Sequence, residues 1–193
     1  MSRHSERCSR CKSTIGRLLK TLYGDVRVNH RFDVGTRPED LRMSPFREEL
    51  RTIFLKLQQL RGFHVFVKAS MLPAVDFFVP SPGFIVEFDE TQHFTACRRE
   101  SLLLYPRDLR TGFDVERWIR LCEQIRARDN DPPYRDEQRA WYDTMRDFLP
   151  SERPFKPTVR LFSKDAIWCD LDPEDDSDVR AFTSRLDQSP SRS

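Results

Sequence analysis

A short hairpin in the middle of the sequence constrains the fold more than any other feature. Residues 74–79 and 84–89 are both rich in valine, isoleucine and phenylalanine, and residues 80–83 (Pro-Ser-Pro-Gly) form a turn signal between them. Because side chains alternate between the two faces of a strand, this pattern predicts an antiparallel pair. In the simplest register, Val79 lies opposite Phe84.

Acidic side chains gather at the open end of this hairpin. The register places Asp76 opposite Glu87, and alternation puts Asp89 on the same face as Glu87. Like charges directly opposite each other are unfavourable, and apolar neighbours make an unpaired charge worse. A divalent cation would resolve both problems, because Mg²⁺ prefers carboxylate oxygens. We therefore predict a site for Mg²⁺ or Mn²⁺ at Asp76, Glu87 and Asp89; the alternative is that these acids lie in solvent or pair with arginines.

A histidine follows this group of acids. His93 is four residues after Asp89. Imidazole titrates near neutral pH, so His93 suits a general base or a proton donor to a leaving oxygen. The alternative is a structural histidine that is held by hydrogen bonds.

The clearest helix begins near Ser44. Serine is a favourable N-cap, Pro45 suits the first helical position, apolar residues then recur on one face, and Gly62 ends the helix. At about 100° per residue, Glu49 falls on the rim of the apolar face and Glu48 faces away from it. We therefore predict that Glu49 points towards the hairpin acids; the alternative is an ordinary surface acid in a first helical turn.

Periodicity predicts the remaining elements of the chain. The predicted helices cover residues 15–23, 114–128 and 134–148. The predicted strands cover residues 26–32, 63–69, 158–162 and 166–171. Together with the hairpin, this order predicts an α/β fold with a central mixed sheet flanked by helices.

The chain divides into three regions by composition. Residues 44–171 form the predicted domain, and residues 97–133 are an inserted helical segment within it. Residues 1–43 are a basic N-terminal region. Residues 172–193 are first acidic and then rich in serine, so we predict that this tail is disordered.

Charge and cysteine content narrow the class of protein. The 193 residues carry a net charge of only +2, but the first 61 residues hold 14 basic and 7 acidic side chains. Arginine accounts for 27 of the 33 basic residues, which favours contact with phosphate groups unless it reflects genome composition alone. Five scattered cysteines argue against a disulfide framework and for the reducing cytoplasm. Without an apolar run of membrane-spanning length, we expect no membrane partner.

Two cysteines near the N-terminus have a spacing that is typical of zinc sites. Cys8 and Cys11 are separated by two residues, and thiolates at this spacing can bind one tetrahedral zinc ion. The sequence offers no second pair with a recognisable spacing. Two interpretations therefore stay open. The cysteines belong to a structural zinc knuckle, or they lie in a basic N-terminal segment that does not bind zinc.

The motifs around the hairpin resemble the PD-(D/E)XK, or restriction-endonuclease-like, superfamily. The nearest resemblance is to the very-short-patch-repair endonuclease-like group, which combines Val-Asp-Phe with Ile-Glu-Val-Asp-Gly-x-x-His. Here these motifs stand as residues 75–77 (Val-Asp-Phe) and 86–93 (Val-Glu-Phe-Asp-Glu-Thr-Gln-His). The group's later Arg-Asp helix and arginine-containing strand are similar to residues 135–139 and 158–162. Glu90 stands where the group has glycine.

The resemblance implies a metal-dependent endonuclease that acts on DNA. It implies that Asp76 and Glu87 are metal ligands and that Asp89 supports them. Arg135 and Arg139 would hold substrate phosphates; alternatively, they form ion pairs along their own helix.

The superfamily's motif lysine is missing two residues after Glu87, where Asp89 stands. Lys68 on the preceding predicted strand is a candidate replacement. Two other functions stay open: a nucleic-acid-binding protein that keeps the nuclease fold without catalysis, and a protein-interaction module that uses the helix around Trp118. A homodimer is an open assembly state.

Overall fold

A four-stranded sheet forms the centre of the molecule in this computed structural model, which describes residues 9–187. Its strands are β1 (Arg27–His30), β2 (Val75–Val79), β3 (Phe84–Asp89) and β4 (Val159–Phe162). They lie in the order β1-β2-β3-β4; β2 is antiparallel to both β1 and β3, and β4 is parallel to β3. The predicted mixed sheet of an α/β protein is therefore confirmed.

Six α-helices lie around this sheet within residues 9–187. They are α1 (Ser9–Tyr23), α2 (Arg47–Leu60), α3 (Ala96–Leu102), α4 (Val115–Ile125), α5 (Arg135–Phe148) and α6 (Asp176–Leu186). Helices α1 and α6 cover one face of the sheet, and α2 and α5 cover the other. Helix α3 packs against α4 and α5. In the described part of the chain, no helix is both long enough and apolar enough to cross a bilayer.

The hairpin has the register that the sequence predicts. Val79 pairs with Phe84, and Phe77 pairs with Val86. Gly83 closes the turn with a φ of 92°, a conformation that a side chain at this position would disfavour. The turn sequence and the apolar alternation are local signals, which is why they were sufficient to set this register.

Alternation along β3 supplies two hydrophobic cores, one on each face of the sheet. Phe84, Val86 and Phe88 pack towards α1 and α6, whereas Ile85 packs towards α2 and α5. Each of these four side chains is at most 4 % exposed. Complete burial of one such side chain stabilises a fold by about 1.5–3 kcal/mol, so both layers of helices contribute to the stability of the sheet.

Helix α2 begins two residues later than predicted, at Arg47 rather than Pro45. The Oγ atom of Ser44 accepts a hydrogen bond from the N–H of Phe46 and also bonds to the hydroxyl of Ser151, so Ser44 shapes a turn before the helix. Phe46 itself occupies the cap position. The predicted end is confirmed, because Gly62 follows Arg61 with a φ of 78°.

Two predicted strands are not formed. Residues 63–69 have no regular structure: Phe66 and Val67 are both buried although they are adjacent, while Val65 is 63 % exposed, which breaks the expected alternation. Residues 166–171 contain a short 3-10 turn, Trp168–Asp170, in place of a strand. The buried indole of Trp168 donates to the carbonyl of Phe162, which holds this turn against the end of β4.

The inserted segment contains two helices where the sequence predicted one. Helix α4 lies within the predicted range, and the carboxylate of Asp114 caps it by accepting from the N–H of Arg117. Helix α3 was not predicted, because its short sequence lacks a clear apolar period. Thr95 caps α3 through its hydroxyl, which accepts from the N–H of Arg98.

The N-terminal region is part of the same fold rather than a separate lead-in. Ile15, Leu18 and Leu19 of α1 are completely buried against the sheet, and β1 extends the sheet by one strand. The predicted boundary at residue 44 is therefore wrong for the described residues. Cys11 is buried in this core, and Cys8 lies outside the described residues.

The acidic tail is also part of the fold, contrary to the predicted disorder. Asp175 caps α6 by accepting from the N–H groups of Ser177 and Asp178, and acids in a first helical turn interact favourably with the helix dipole. Phe182 and Leu186 then pack into the hydrophobic core between α1 and the sheet. The prediction of disorder rested on the many polar residues of the tail and overlooked these two apolar residues, which are four positions apart. Residues 188–193 lie outside the described part of the chain.

We expect the replacement Phe182→Ala to destabilise the protein by about 3–5 kcal/mol, because it removes a fully buried ring from the hydrophobic core between α1 and the sheet. Urea denaturation of the full chain measures the change. Arg180→Ala is the matched control on the exposed side of α6 and is expected to change stability by less than about 0.5 kcal/mol. Equal denaturation midpoints for the two variants would show that the tail does not contribute to the core.

Candidate active site

The candidate site lies where β2 and β3 separate at the open end of the hairpin. Backbone pairing between the two strands extends as far as Phe77 and Val86. Beyond this point, the strands are joined by hydrogen bonds from backbone N–H groups to side-chain carboxylates. The N–H of Asp76 donates to Oε1 of Glu87 at 3.2 Å. In return, the N–H of Phe88 donates to Oδ2 of Asp76 at 2.9 Å. Each carboxylate is therefore bonded to the opposite strand, and the two acids share the gap between the strands.

Asp76 is approached from the face that α1 covers. The Nζ atom of Lys12 lies 2.6 Å from Oδ1 of Asp76, and the two side chains are 42 % and 18 % exposed. A cleft of about 540 Å³ opens beside this pair, and Arg17 and Lys20 of α1 also line it. Solvent and small ions can therefore reach Asp76 through a basic cleft.

Glu87 is buried towards the opposite face. Its Oε1 atom lies 3.5 Å from Nε of Arg146 on α5, and this Nε is buried without a hydrogen-bond partner in the described residues. Burial raises the pKa of Glu87 to about 7; Arg146 opposes the increase, and the negative charge of Asp76 adds to it. The gap therefore contains a carboxylate whose charge the protein only partly compensates.

Arg160 on β4 neutralises the acid at the end of β3. Its side chain is completely buried, with Nη1 2.7 Å from Oδ1 of Asp89 and Nε 2.8 Å from Oδ1 of Asp147. The Nη2 atom donates to the carbonyl of Asp143 at 3.0 Å. Both oxygens of Asp89 are occupied, because the indole of Trp118 donates to Oδ2 at 2.7 Å.

The same network continues through α5 into α3. Nη2 of Arg98, which is buried, lies 2.6 Å from Oδ2 of Asp147. The hydroxyl of Tyr105 donates to the same oxygen at 2.7 Å. Asp147 thus bridges two buried arginines, Arg98 and Arg160. Buried ion pairs of this kind need several hydrogen bonds to offset the desolvation of their charges.

His93 lies at the edge of this network. Its Nδ1 atom is 2.9 Å from Oδ2 of Asp143 and 3.6 Å from Oδ1 of Asp89. Burial lowers the pKa of His93, but the charge of Asp143 and its hydrogen bond outweigh that effect and raise the pKa above 6.5. Burial likewise works against the charged form of Asp143, yet His93 and Arg160 hold the pKa of this carboxyl well below its usual value.

The predicted metal ligands therefore divide into two groups. The carboxylates of Asp76 and Glu87 both lie in the gap, where each accepts a hydrogen bond from the opposite strand. Lys12 of α1 reaches Asp76 from one side of the sheet, and Arg146 of α5 reaches Glu87 from the other. Asp89 is held apart from them by its ion pair with Arg160. The expected common cluster of three carboxylates is corrected to a pair in the gap, Asp76 and Glu87, and a separate acid, Asp89. The reason is that Arg160 binds Asp89.

Two other side chains that the sequence suggested, Glu49 and Lys68, have positions outside the gap. Glu49 is partly exposed, and within residues 9–187 no hydrogen bond or ion pair joins it to the hairpin acids. Lys68 is exposed, with its Nζ 5.3 Å from the ring centre of Tyr134. Lys12, which the sequence did not indicate, is the lysine beside Asp76.

The two arginines expected to hold phosphates have protein partners. Arg139 donates from Nη1 to the carbonyl of Gln92 and forms an ion pair with Asp129 at 2.9 Å. Arg135 donates to the carbonyl of Asp131 and the side chain of Gln138. Neither forms the ion pairs with Asp136 or Asp143 that the alternative interpretation offered, and Arg139 instead bonds to the turn that carries His93.

The zinc hypothesis for Cys8 and Cys11 gains no support from the described residues. Cys11 lies in α1 and is 1 % exposed among apolar side chains, so its orientation is set by the hydrophobic core. Cys8 is not among the described residues. The knuckle therefore stays a prediction from spacing alone.

Sequence reasoning missed most of the network around β3. Asp143, Arg146 and Asp147 lie three and four residues apart on α5, which places them on one side of that helix. Arg160 stands in the middle of the apolar run Val159–Phe162. An arginine at such a position requires a buried acid as partner, and this signal could have identified the network.

Comparisons with protein-family models, with curated proteins and with solved structures gave no match to this chain. Its function is therefore inferred from the chemistry of the gap, the cleft and the network.

Replacing Arg160 with methionine is expected to destabilise the protein by about 3–5 kcal/mol, because the change leaves buried carboxylates without their counter-ion. Urea denaturation measures the effect. Arg99→Met is the control: Arg99 pairs with Glu123 at the surface, where water already solvates both charges, so its loss should change the stability far less. Equal losses in the two variants would contradict the central role of Arg160.

The stability that His93 contributes should depend on pH. A raised pKa in the folded state stabilises the fold below the unfolded value of 6.5, and this contribution is lost as pH rises through the folded pKa. The replacement His93→Gln should therefore destabilise the protein more at about pH 5.5 than at about pH 9. Denaturation at both pH values tests this, with His64→Gln at an exposed site as the control. A larger loss at the higher pH would contradict the ion pair with Asp143.

Proposed function

We propose that this protein is a metal-dependent nuclease with a restriction-endonuclease-like fold, which hydrolyses phosphodiester bonds in DNA. The observation that carries the proposal is the pair of Asp76 and Glu87 in the gap between β2 and β3, beside a basic cleft. A carboxylate that solvent can reach, Asp76, lies beside a buried one, Glu87, and next to cationic side chains, an arrangement that suits a reaction on a phosphate ester. The order of motifs along the chain supports the same class.

The chemistry of Asp76 and Glu87 fits a divalent cation such as Mg²⁺ or Mn²⁺. Mg²⁺ commonly binds one or two protein carboxylates and completes its coordination with water and substrate phosphates. A second group, Asp89, His93 and Asp143, has ligand atoms within 4.8 Å of one another. That group is less suited to a cation, because Arg160 already contacts both of its acids.

The residues around the gap have distinct proposed roles. A bound divalent cation supplies positive charge that stabilises the phosphorane-like transition state and lowers the pKa of an attacking water. Asp76 and Glu87 would hold it, and Arg146 would orient Glu87 from α5. Asp89 and His93 act through the buried network, which keeps the end of β3 and the following turn in place.

The basic side chains of α1 support nucleic acid as the substrate. Lys12, Arg17 and Lys20 line the cleft beside Asp76, and cationic side chains at such a position contact a phosphate backbone without reading its sequence. DNA is the preferred substrate because the motifs resemble a DNA endonuclease group.

The alternative function is nucleic-acid binding without catalysis. One observation favours it: Lys12 already neutralises Asp76, so the cleft can present a positive surface without any metal ion. The two functions differ in one measurable property, cleavage in the presence of Mg²⁺ or Mn²⁺.

The replacement Glu87→Gln is expected to lower cleavage of plasmid DNA by at least about 100-fold, because the loss of one carboxylate charge removes several kcal/mol of transition-state stabilisation. Glutamine keeps the shape of the buried side chain, so binding in a mobility-shift assay at fixed salt should persist. Both assays use the full chain with Mg²⁺ or Mn²⁺.

The control for this experiment is Glu48→Gln, which removes an exposed acid of α2. It should cleave at the rate of the unmodified protein. Undiminished cleavage by the Glu87 variant would place the chemistry elsewhere. Binding without cleavage by the unmodified protein, with either metal, would support the non-catalytic alternative.

A further inference from the structure

The contact between Lys12 and Asp76 lies on the side of Asp76 that faces the cleft. Oδ2 of Asp76 is held by the N–H of Phe88, so Oδ1 is the oxygen that faces the cleft. The Nζ atom of Lys12 lies 2.6 Å from this Oδ1. It is also 6.0 Å from the centre of the Phe88 ring, over the end of β3. The ammonium group therefore occupies the position at which a cation from solvent would meet Asp76.

Helix α1 holds the backbone of Lys12 in place but leaves its side chain free to turn. A methyl group at Gly16, one helical turn later, would lie 3.1 Å from the ring of Phe77, so α1 packs closely on β2. Lys20 follows after one more turn and lines the same cleft. The lysine side chain is long and flexible and is 42 % exposed, so it can move from Asp76 into this cleft.

We propose that Lys12 is an exchangeable counter-ion of the site. Without a metal ion its ammonium group neutralises Asp76; when a divalent cation is bound by Asp76 and Glu87, Lys12 turns into the cleft and contacts a phosphate of the substrate. This inference rests on the proposed nuclease function and adds a substrate-contacting residue to it.

The energetics of the ion pair agree with such an exchange. Ion pairs between partly exposed side chains are weak, because water already solvates both charges. A divalent cation offers Asp76 a stronger partner than one ammonium group, and the two positive charges repel each other. A bound cation would therefore displace the ammonium group of Lys12 from Asp76. The phosphate backbone of the substrate would then offer Lys12 a new partner of opposite charge.

The test is a titration of the full-length protein with Mn²⁺ alone, followed by calorimetry, for the unmodified chain and for Lys12→Met, Lys12→Arg and Asp76→Asn. Lys12→Met should bind Mn²⁺ about threefold more tightly, because the competing charge is gone. Lys12→Arg keeps the charge and should bind like the unmodified protein. Lys56→Met is the matched control, since Lys56 pairs with Glu100 and is 43 % exposed.

A second measurement separates an exchangeable counter-ion from a merely structural lysine. Lys12→Met should cleave plasmid DNA at least about tenfold less efficiently, mainly through a higher KM, although it binds Mn²⁺ more tightly. Lys12→Arg should restore part of the cleavage. A loss of fold would instead weaken both properties together.

The outcomes distinguish this inference from the proposed function. If the unmodified protein and Asp76→Asn bind Mn²⁺ equally, the metal site at Asp76 is wrong and the proposed function fails with the inference. If Mn²⁺ binding depends on Asp76 but Lys12→Met binds it with unchanged or lower affinity, only the role of Lys12 is overturned. Undiminished cleavage by Lys12→Met would likewise remove the phosphate contact alone.

Discussion

The buried guanidinium group of Arg160 is the interaction on which the rest of the structure depends. It joins β4 to the last residue of β3 through Asp89 and to α5 through Asp147. Because a charge in the interior is costly unless it is paired and hydrogen-bonded, Arg160 and its acids are stable only together. This mutual requirement fixes α5 against the sheet at the end of β3.

The charges of the network do not cancel completely. Four carboxylates, Glu87, Asp89, Asp143 and Asp147, face three buried arginines, Arg98, Arg146 and Arg160. The surplus negative charge is consistent with two pKa changes, a raised pKa for Glu87 and a raised pKa for His93. At the gap, Glu87 lies 3.5 Å from Arg146, and a solvent cation or a proton can supply further positive charge there. At the edge, a proton on His93 adds positive charge beside Asp143.

The cleft beside the gap is lined by α1, and α6 packs against α1. Helix α1 brings Lys12 to Asp76 across 64 residues of sequence, and α6 packs behind α1 through Phe182. The basic N-terminal segment and the acidic tail are therefore parts of one layer on the same face of the sheet. The two segments carry opposite charges, and their composition therefore predicted two separate regions. Their apolar side chains nevertheless pack into the same core.

The sequence by itself determined the hairpin, its register and the position of the acids at its open end, because turn residues and two-residue alternation act between close neighbours. It also determined most of α2, α4, α5 and β4. Only the tertiary structure decided that Asp89 belongs to Arg160, that Asp76 faces Lys12, and that residues 63–69 are not a strand. Alternation assigns a side chain to a face of the sheet but does not identify the helix that covers it. The partners of a charged side chain depend on that packing. The sequence therefore predicted the acids of the candidate site but not the basic side chains, Lys12, Arg146 and Arg160, that bind them.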